Sequence, residues 1–576
     1  MVLSAHDSNR QVAAVLFEVS DLLKARGVRF KPQAYAKAAK TIEGLDRDIR
    51  DIEAEDKLEE IPGVGMHIAN KVREIVKTGH LVYLDTLRQN LPEGISAIAE
   101  VEGIGPKRAE VLVKELGITS IPQLEAAAAA GKIRDLPGFG ELSEKKILTI
   151  LKGKSQPNAR ILLGEILPVA EEIVRQLARE PATKQVSLAG SIRRKKESIG
   201  DVDILASSGA PEKVMETFCT LPRVSRVIER GPTRSSVVLD SGLHVDLRVV
   251  DENQFGAALL YFTGSKDFNI ALRRWALKRD EKLNEYGLFD RTTNAVRAGK
   301  DEQEMFQALG LPFIEPELRE NRGEIEAAAN GTLPEILPYR SIRGDLHVHT
   351  RWSDGKNSME EMALAAKSRG YDYIAICDHA KSQQITFGLD EPAIRKQQSE
   401  IEKLNKSLDG ITVLSGIECN IHQDGNLDVS KAVLQDRDIV LAGVHSYLDI
   451  EEQEMTNRLL SALHNDYLDV LTHPTSRIIL QREPARFDLP AIANAAAGQK
   501  VALEVNGYPS RLDLPDTFCM LARGFKASFA LGSDAHRKED LSFMDLGIAT
   551  ARRGWLGPAD VINSLPLKNL RTRLGS

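Results

Sequence analysis

Between residues 342 and 540 the chain repeats one arrangement, a short apolar segment that finishes in a histidine or an acid. The segments are Asp345-Leu346-His347-Val348-His349 with Asp354 close behind, Ile374-Ala375-Ile376-Cys377-Asp378-His379, Leu414-Ser415-Gly416-Ile417-Glu418, Leu441-Ala442-Gly443-Val444-His445, Val470-Leu471-Thr472-His473 and Leu531-Gly532-Ser533-Asp534-Ala535-His536. Val501-Ala502-Leu503-Glu504-Val505-Asn506 is a further strand of the same kind, and helical stretches such as Met359 to Ser368 and Ile394 to Lys406 separate the series. Strands alternating with helices and carrying polar residues at their ends predict a parallel α/β barrel whose site lies at the carboxyl ends of the strands. Seven strands fit better than eight, so a distorted (β/α)7 barrel is expected over 342–576.

Six of the twelve histidines occupy these strand ends. A lone buried histidine is usually structural, but His347, His349, His379, His445, His473 and His536 converging with Asp354, Glu418 and Asp534 read as metal ligands. Imidazole mixed with carboxylate and without thiolate suits Mn²⁺, Zn²⁺ or Fe, and such a set suffices for two or three ions. A multinuclear site clamps a phosphate and generates hydroxide for in-line attack, which argues for phosphoester hydrolysis. The series resembles the PHP (polymerase and histidinol phosphatase) domain over most of residues 342–572, with every ligand position of that family filled.

A second acidic cluster lies upstream. Lys184 to Ala189 alternates like a strand, Gly190-Ser191 reads as a turn, and Asp201-Val202-Asp203-Ile204-Leu205-Ala206 reads as another strand. Residues two apart on a strand share a face, so Asp201 and Asp203 point the same way. Asp246, in His244-Val245-Asp246-Leu247-Arg248, supplies a third carboxylate on a strand. Mg²⁺ sites need about this arrangement, with substrate phosphates and water completing the shell. The run Arg193-Arg194-Lys195-Lys196 after the turn suits a triphosphate. Gly-Ser-x-Arg-Arg, Gly-Asp-x-Asp, the third Asp, Tyr261-Phe262-Thr263-Gly264-Ser265 and Leu283-Asn284-Glu285-Tyr286 follow in the order of the DNA polymerase X family, which this part of the chain resembles.

That resemblance implies that Asp201, Asp203 and Asp246 hold two catalytic metals, Mg²⁺ or Mn²⁺, and that Asp246 assists deprotonation of a primer 3′-hydroxyl. Ser191, Arg194 and, by spacing, Arg160 would contact the incoming triphosphate. Tyr261 would lie against the sugar, Gly264 would let backbone approach the nucleotide, Asn269 would reach the base edge and Arg273 the template. Lys195 stands where the family often has glycine, which is expected to alter the loop. His244 stands where the vertebrate enzyme has arginine, which removes a permanent charge beside a ligand carboxylate.

In the N-terminal third, glycine turns recur before helical patterns at Pro62-Gly63-Val64-Gly65, Glu102-Gly103-Ile104-Gly105-Pro106 and Pro137-Gly138-Phe139-Gly140. They resemble the helix-hairpin-helix, whose glycines let N–H groups at a helix start face a DNA phosphate. Gly63, Gly65, Gly103, Gly105 and Lys107 are the expected contacts, while the acidic flanks of the third turn fit a plain corner. Residues 9–78 resemble the small N-terminal domain of the same polymerase family, in which Lys31 and Tyr35 fall where a 5′-phosphate binds.

A chain of 576 residues exceeds one core, and its length predicts about three to five units. The expected multidomain α+β and α/β division is a helical DNA-binding domain at 1–78, a helix-hairpin-helix domain at 79–155, a nucleotidyltransferase palm at 156–255, a thumb at 256–318, a linker at 319–341 and the PHP domain at 342–576. A net charge of −7 would oppose nucleic acid if it were evenly spread, but 184–196 and 266–282 are locally basic. No run of about 18 apolar residues occurs and the N-terminus lacks a signal-peptide layout, so no membrane partner and a cytoplasmic location are expected. The four cysteines lack metal or disulfide spacing and read as reduced thiols.

The combination resembles the bacterial and archaeal form of the family. It implies a monomeric DNA polymerase that fills short gaps in repair, acting on gapped or nicked DNA and deoxynucleoside triphosphates, with the PHP site as a 3′-5′ exonuclease. Two rivals are a small-molecule phosphatase with a DNA-binding N-terminal half, and a non-catalytic scaffold that binds DNA ends. Complete ligand sets in both domains weigh against both.

Some family members also remove a deoxyribose phosphate with a lysine nucleophile of lowered pKa. His67 occupies that lysine's position and Lys71 is kept. An imidazole cannot form the imine, so lyase activity is expected to be weak or absent. Borohydride trapping on an abasic 5′-end substrate checks this: trapping by wild type that disappears in Lys71→Ala would show that Lys71 has taken over.

Overall fold

The computed structural model describes residues 5–25, 31–43, 45, 47–78, 80–84, 98, 104, 106–134, 136, 137, 139, 140, 143, 144, 147, 148, 160–381 and 388–575. The chain forms two compact units, 1–158 and 159–576. In the first, helices Ala5–Ala25, Lys31–Glu43, Ile49–Ala54 and Met66–Thr78 each turn an apolar stripe inward, and Leu16, Val19, Ala38, Ile42, Ile49, Leu58, Ala69 and Val72 form the core. A second cluster joins Ile98, Ile104, Ala109, Leu112, Leu124 and Ile133 around helices Pro106–Leu116 and Ile121–Ala129. Glu144, near the third glycine turn, is buried and accepts from the backbone N–H groups of Ile133 and Arg134, at 2.7 and 2.9 Å. Its acidity thus serves a corner of the fold.

The second unit opens with a five-stranded sheet: Thr183–Leu188 (β1), Asp201–Ser208 (β2), Val224–Arg230 (β3), Arg234–Leu239 (β4) and His244–Val250 (β5), in the order β1-β2-β5-β4-β3. The β2–β5 pairing is parallel and the other three are antiparallel. Alternation along β2 and β5 sends Val202, Ile204, Val245 and Leu247 to one face, where helices Leu163–Ala178 and Pro211–Cys219 cover them. On the other face Leu205 packs with Phe255, Ala258 and Leu259 of helix Phe255–Thr263. Helices Lys266–Leu277 and Glu302–Ala308 and a small antiparallel sheet, Glu281–Asn284 (β6), Gly287–Asp290 (β7) and Val296–Ala298 (β8), complete this part around Phe268, Leu272, Leu288 and Phe306.

Seven strands follow: Gly344–Val348 (β9), Tyr373–Ile376 (β10), Thr412–Asn420 (β11), Ile439–Gly443 (β12), Val470–Leu471 (β13), Ala502–Asn506 (β14) and Phe529–Gly532 (β15). Each pairs in parallel with the next. The ends meet where Asp534 N–H donates to His347 C=O and His349 N–H to Ala535 C=O, both at 2.9 Å, giving the expected seven-stranded barrel. Alternate residues such as Tyr373, Ala375, Cys377, Leu414, Ile439 and Leu441 form one cluster with Ile562 and Leu570, while Ile374, Ile376, Val413 and Val440 pack against the surrounding helices. Cys377, Cys419 and Cys519 are buried thiols and Cys219 is half-buried.

The segment expected as a linker is packed. Its helix Glu324–Ala329 sends Ile325 and Ala328 into the Phe268–Phe306 cluster, and Leu337 joins the barrel cluster. Arg319 is wholly enclosed: its Nε donates to Ile314 C=O at 2.9 Å and its guanidinium pairs with Glu302, which Arg193 also grips through both carboxylate oxygens. Burial pushes the Glu302 carboxyl up, but Arg319 and Arg193 outweigh it and hold the pKa at about 2. This pairing therefore stabilises the fold at neutral pH and is lost as pH falls from the ordinary carboxylate range toward 2. Arg319→Met is expected to lower the unfolding free energy by about 3 kcal/mol, read by denaturant titration, with the deficit shrinking as the pH falls through that window.

Candidate functional site

The parallel register sets Asp203 of β2 beside Asp246 of β5, and Asp201 beside His244. Residues in register on parallel neighbours face the same way, so the three carboxylates converge on the face opposite the Val202–Leu247 core. Burial, then repulsion from Asp201 and Asp246, raises the Asp203 pKa to about 6 against the pull of Arg248 and Arg194. Asp246 accepts from the Ser236 hydroxyl and, at 3.2 Å, from Arg234 NH2 on β4. Arg234 thus restores a permanent charge beside this carboxylate, which His244 had left in doubt. Repelling, partly buried carboxylates with free oxygens fit hard divalent cations, whose charge relieves the repulsion.

The expected turn at Gly190 is a single helical turn, Gly190–Arg193. Gly190 takes φ +58°, and a Cβ there would stand 2.2 Å from Asp203 Oδ2, so the turn can lie against the carboxylate face only with glycine. Lys195 takes φ +55°, the conformation a glycine would adopt, so the departure leaves a glycine-type loop in place. The basic run does not act as one cradle. Arg193 is spent on Glu302 and the Thr263 hydroxyl, while Lys195 and Lys196 turn away into a cavity of about 200 Å³ shared with Arg322, Arg477, Asp516 and Arg553. Arg194 alone of the four stays beside Gly264, donating through NH1 to Thr263 C=O.

Ser191 lies on the same helical turn. Arg160 Nε donates to Ser198 Oγ at 2.8 Å, and its NH1 lies 3.6 Å from where a Gly200 Cβ would be, so it braces the loop leading to Asp201. Tyr261, Asn269 and Arg273 line one small recess with Asn284: Asn269 donates to Tyr261 C=O at 2.7 Å, and the Arg273 guanidinium lies 5.3 Å from the Tyr261 ring centre.

In the barrel the nine expected ligands meet at one end. Three sets of donor atoms lie within 4.8 Å of one another: His349, Asp354, His379 and His536; His347, His349 and Asp534; Glu418, His445 and His473. Glu418 is the hub, with Oε1 2.9 Å from His473 Nε2 and 3.0 Å from His445 Nε2, and Oε2 2.7 Å from His379 Nδ1 and 3.4 Å from His347 Nε2. The Nδ1 atoms of His349 and His473 are buried without a hydrogen-bond partner. Orphaned buried imidazoles among carboxylates fit cations of the Zn²⁺, Mn²⁺ or Fe type, and the structure supports divalent-metal dependence.

The field inside this site is steep. Burial lowers His349 to about 3 and His445 to about 4, whereas at His536 the carboxylates of Asp354 and Asp534 overcome burial and raise the pKa to about 9. Glu418 and Asp534 are held well below the usual carboxylate range, because the surrounding imidazoles outweigh burial. Sequence reasoning missed Glu504. It is buried behind the ligands, 2.6 Å from His347 Nδ1, and accepts from the Thr472 hydroxyl and His473 N–H. Such a carboxylate fixes the orientation and tautomer of a ligand histidine. Its signal was an acid in the middle of the apolar run Val501–Asn506.

In the first unit Gly63 takes φ +90° ahead of helix Met66–Thr78, whose first hydrogen bonds run from Ile68 and Ala69 N–H to Gly65 C=O. Lys31 and His67 are exposed, Lys71 lies 4.3 Å above the Tyr83 ring, and Tyr35 is a core residue with its hydroxyl pushed up to about 12 by burial and Tyr83. Gly103 and Gly105 lie outside the described residues, as does the Lys107 side chain. Among the described residues no helix is long and apolar enough to cross a membrane.

Comparison with known proteins gives four family matches: a helix-hairpin-helix domain at 7–81, a SAM-like helix-hairpin-helix tandem at 95–152, the DNA polymerase beta thumb at 258–320 and the PHP domain at 345–495. The DNA polymerase/3′-5′ exonuclease PolX of Bacillus subtilis (strain 168) is 35% identical over 547 residues, 95% of each chain. DNA polymerase lambda of Rattus norvegicus is 25% identical over 55% of this chain and 57% of its own length. A probable phosphatase of Shewanella sediminis (strain HAW-EB3) is 29% identical over 38% of this chain and 89% of its own. Matched along nearly its whole length, with both acidic centres in place, the chain belongs to the DNA polymerase X family in the form that carries a PHP domain.

Proposed function

We propose that this protein is a DNA-directed DNA polymerase that fills short gaps in repair and trims 3′ ends with its PHP barrel, acting as a cytoplasmic monomer on gapped or nicked DNA. The observation that carries this reading is the pair of donor sets: three aspartates brought together by β2 and β5, and nine candidate ligands of which Glu418 is the hub. Divalent cations held by Asp201, Asp203 and Asp246, Mg²⁺ or Mn²⁺, would neutralise the triphosphate and ease loss of the primer hydroxyl proton, and two or three Mn²⁺, Zn²⁺ or Fe ions in the barrel would polarise a phosphodiester and acidify a water.

The chain's own groups do the rest. Asp246, oriented by Ser236 and Arg234, stands to receive the primer proton. Arg194 and Ser191 grip phosphate oxygens, with Arg160 steadying the loop behind Asp201. The Tyr261 ring excludes a 2′-hydroxyl, Asn269 reads the minor-groove edge of the base, and Arg273 meets the template. Lys31, Lys71 and the glycine turns at 63–65 and 103–105, with Lys107, hold the DNA backbone. Tyr35, being buried, supports Lys31 through the shape of its helix. In the barrel Glu504 orients His347, and Thr472 holds Glu504 in turn.

A 5′-labelled primer in a one-nucleotide gap, with Mn²⁺ and with or without the complementary nucleotide, tests both activities. Extension with nucleotide and shortening without it are expected. Asp246→Ala should cut extension by about a thousandfold while shortening persists, and His349→Ala the reverse. Unchanged extension in Asp246→Ala would end the polymerase assignment, and unchanged shortening in His349→Ala would trace it to a contaminant.

The match to a probable phosphatase over the barrel favours one further reading, in which the barrel acts on phosphomonoesters. Faster release of phosphate from a small monoester than of nucleotides from a DNA end would establish it.

A further inference from the structure

The turn that carries Arg194 is gripped from the barrel side. Arg553, the last residue of barrel helix Met544–Arg553, is buried at 3% exposure and donates through NH1 to Arg194 C=O at 2.6 Å and to Glu320 Oε1 at 2.9 Å. The same Glu320 oxygen accepts from Arg194 Nε at 3.1 Å. Arg553 NH2 lies 2.7 Å from Asp516, at the start of barrel helix Asp516–Gly524, and Arg322 reaches Asp516 at 3.1 Å. With Nε on Glu320 and NH1 on Thr263 C=O, the Arg194 guanidinium is fixed in its plane from two sides. Removing Glu320 takes the anchor from Arg194 Nε, and removing Arg553 takes both the bond on the Arg194 carbonyl and the second cation that holds Glu320 in place. Charged hydrogen bonds in a buried network hold geometry far better than exposed pairs, because each partner left alone would carry the cost of its own desolvation.

We propose that Arg553 of the PHP barrel and Glu320 of the connector are positioning residues for nucleotide binding, holding Arg194 of the palm in its phosphate-binding geometry. The inference rests on the reading of Arg194 as a triphosphate contact. It makes the barrel a part of the polymerase site, independent of the metal chemistry at its own centre.

The test uses the full chain on a one-nucleotide gap with Mg²⁺, titrating the complementary nucleotide, and measures Mn²⁺-dependent primer shortening and thermal melting on the same preparations. Glu320→Gln, which keeps shape and loses charge, and Arg553→Met are expected to raise the nucleotide KM about tenfold with kcat little changed and shortening at the wild-type rate. Arg553→Lys should recover part of the loss. Glu320→Gln combined with Arg194→Ala should raise KM no further than Arg194→Ala alone, since both act through one group. If Arg553→Met melts early and loses both activities, Glu320→Gln decides. A wild-type KM in Glu320→Gln while Arg194→Ala raises it overturns the positioning role alone. A wild-type KM in Arg194→Ala overturns the triphosphate role of Arg194 and the inference with it.

Discussion

Parallel pairing of strands in register is the constraint on which both metal centres depend. In the five-stranded sheet a single parallel pair, β2 with β5, sets Asp203 against Asp246. A slip of one residue would turn every aspartate into the apolar core, where Val202 and Val245 now lie. The cost of burying carboxylate in hydrocarbon fixes that register as firmly as the backbone bonds do. In the barrel every pairing is parallel, so ligands from strands far apart in sequence arrive at one end. The contact that completes it, His349 with Ala535, lies between two ligand strands and makes closure of the barrel and assembly of the site one event.

The two centres solve like-charge repulsion differently. The aspartate face is half open, and its oxygens are shared with few protein groups, Ser236 and Arg234 among them. Such a site leaves room for substrate phosphates as ligands. The barrel centre is closed in: His347, His349 and Glu418 have almost no exposure, and Glu418 touches imidazoles on both oxygens. Imidazoles there offset the charge of the acids, and a further ring of groups, Glu504, Thr472 and Asn506, fixes them in place.

Sequence showed those features in which chemistry and strand pattern coincide. Most of the expected ligands of the barrel terminate an apolar run, so strand and ligand announce one another, and Asp201 and Asp203 declare their common face through their spacing. Glu504 escaped because it interrupts a run instead of ending one. Arg193, Arg194, Lys195 and Lys196 look alike in sequence, but the helical turn ends at Arg193 and the left-handed Lys195 redirects the backbone, so neighbours part company. Arg234 reaches Asp246 only through an antiparallel register that composition does not encode. The segment 319–341 reads as polar linker because Arg319 and Glu302, each costly to bury alone, neutralise one another across a sequence gap that no local pattern spans.

The buried arginines between the palm, the connector and the barrel bear on how freely these parts can be exchanged. Arg552 pairs with Glu317, Arg553 with Glu320, and Arg322 with Asp516, each across a boundary that a gene-level cut would follow. Severing the chain near residue 341 would take Arg552 from Glu317, leave Glu320 with Arg194 alone of its two arginines, and take Arg322 from Asp516. Domain transplantation within the family therefore has a natural unit, barrel plus connector plus palm, and a chimaera that respects it keeps its charges matched while one that divides it leaves Glu317 unpaired and Glu320 and Asp516 each short of one arginine.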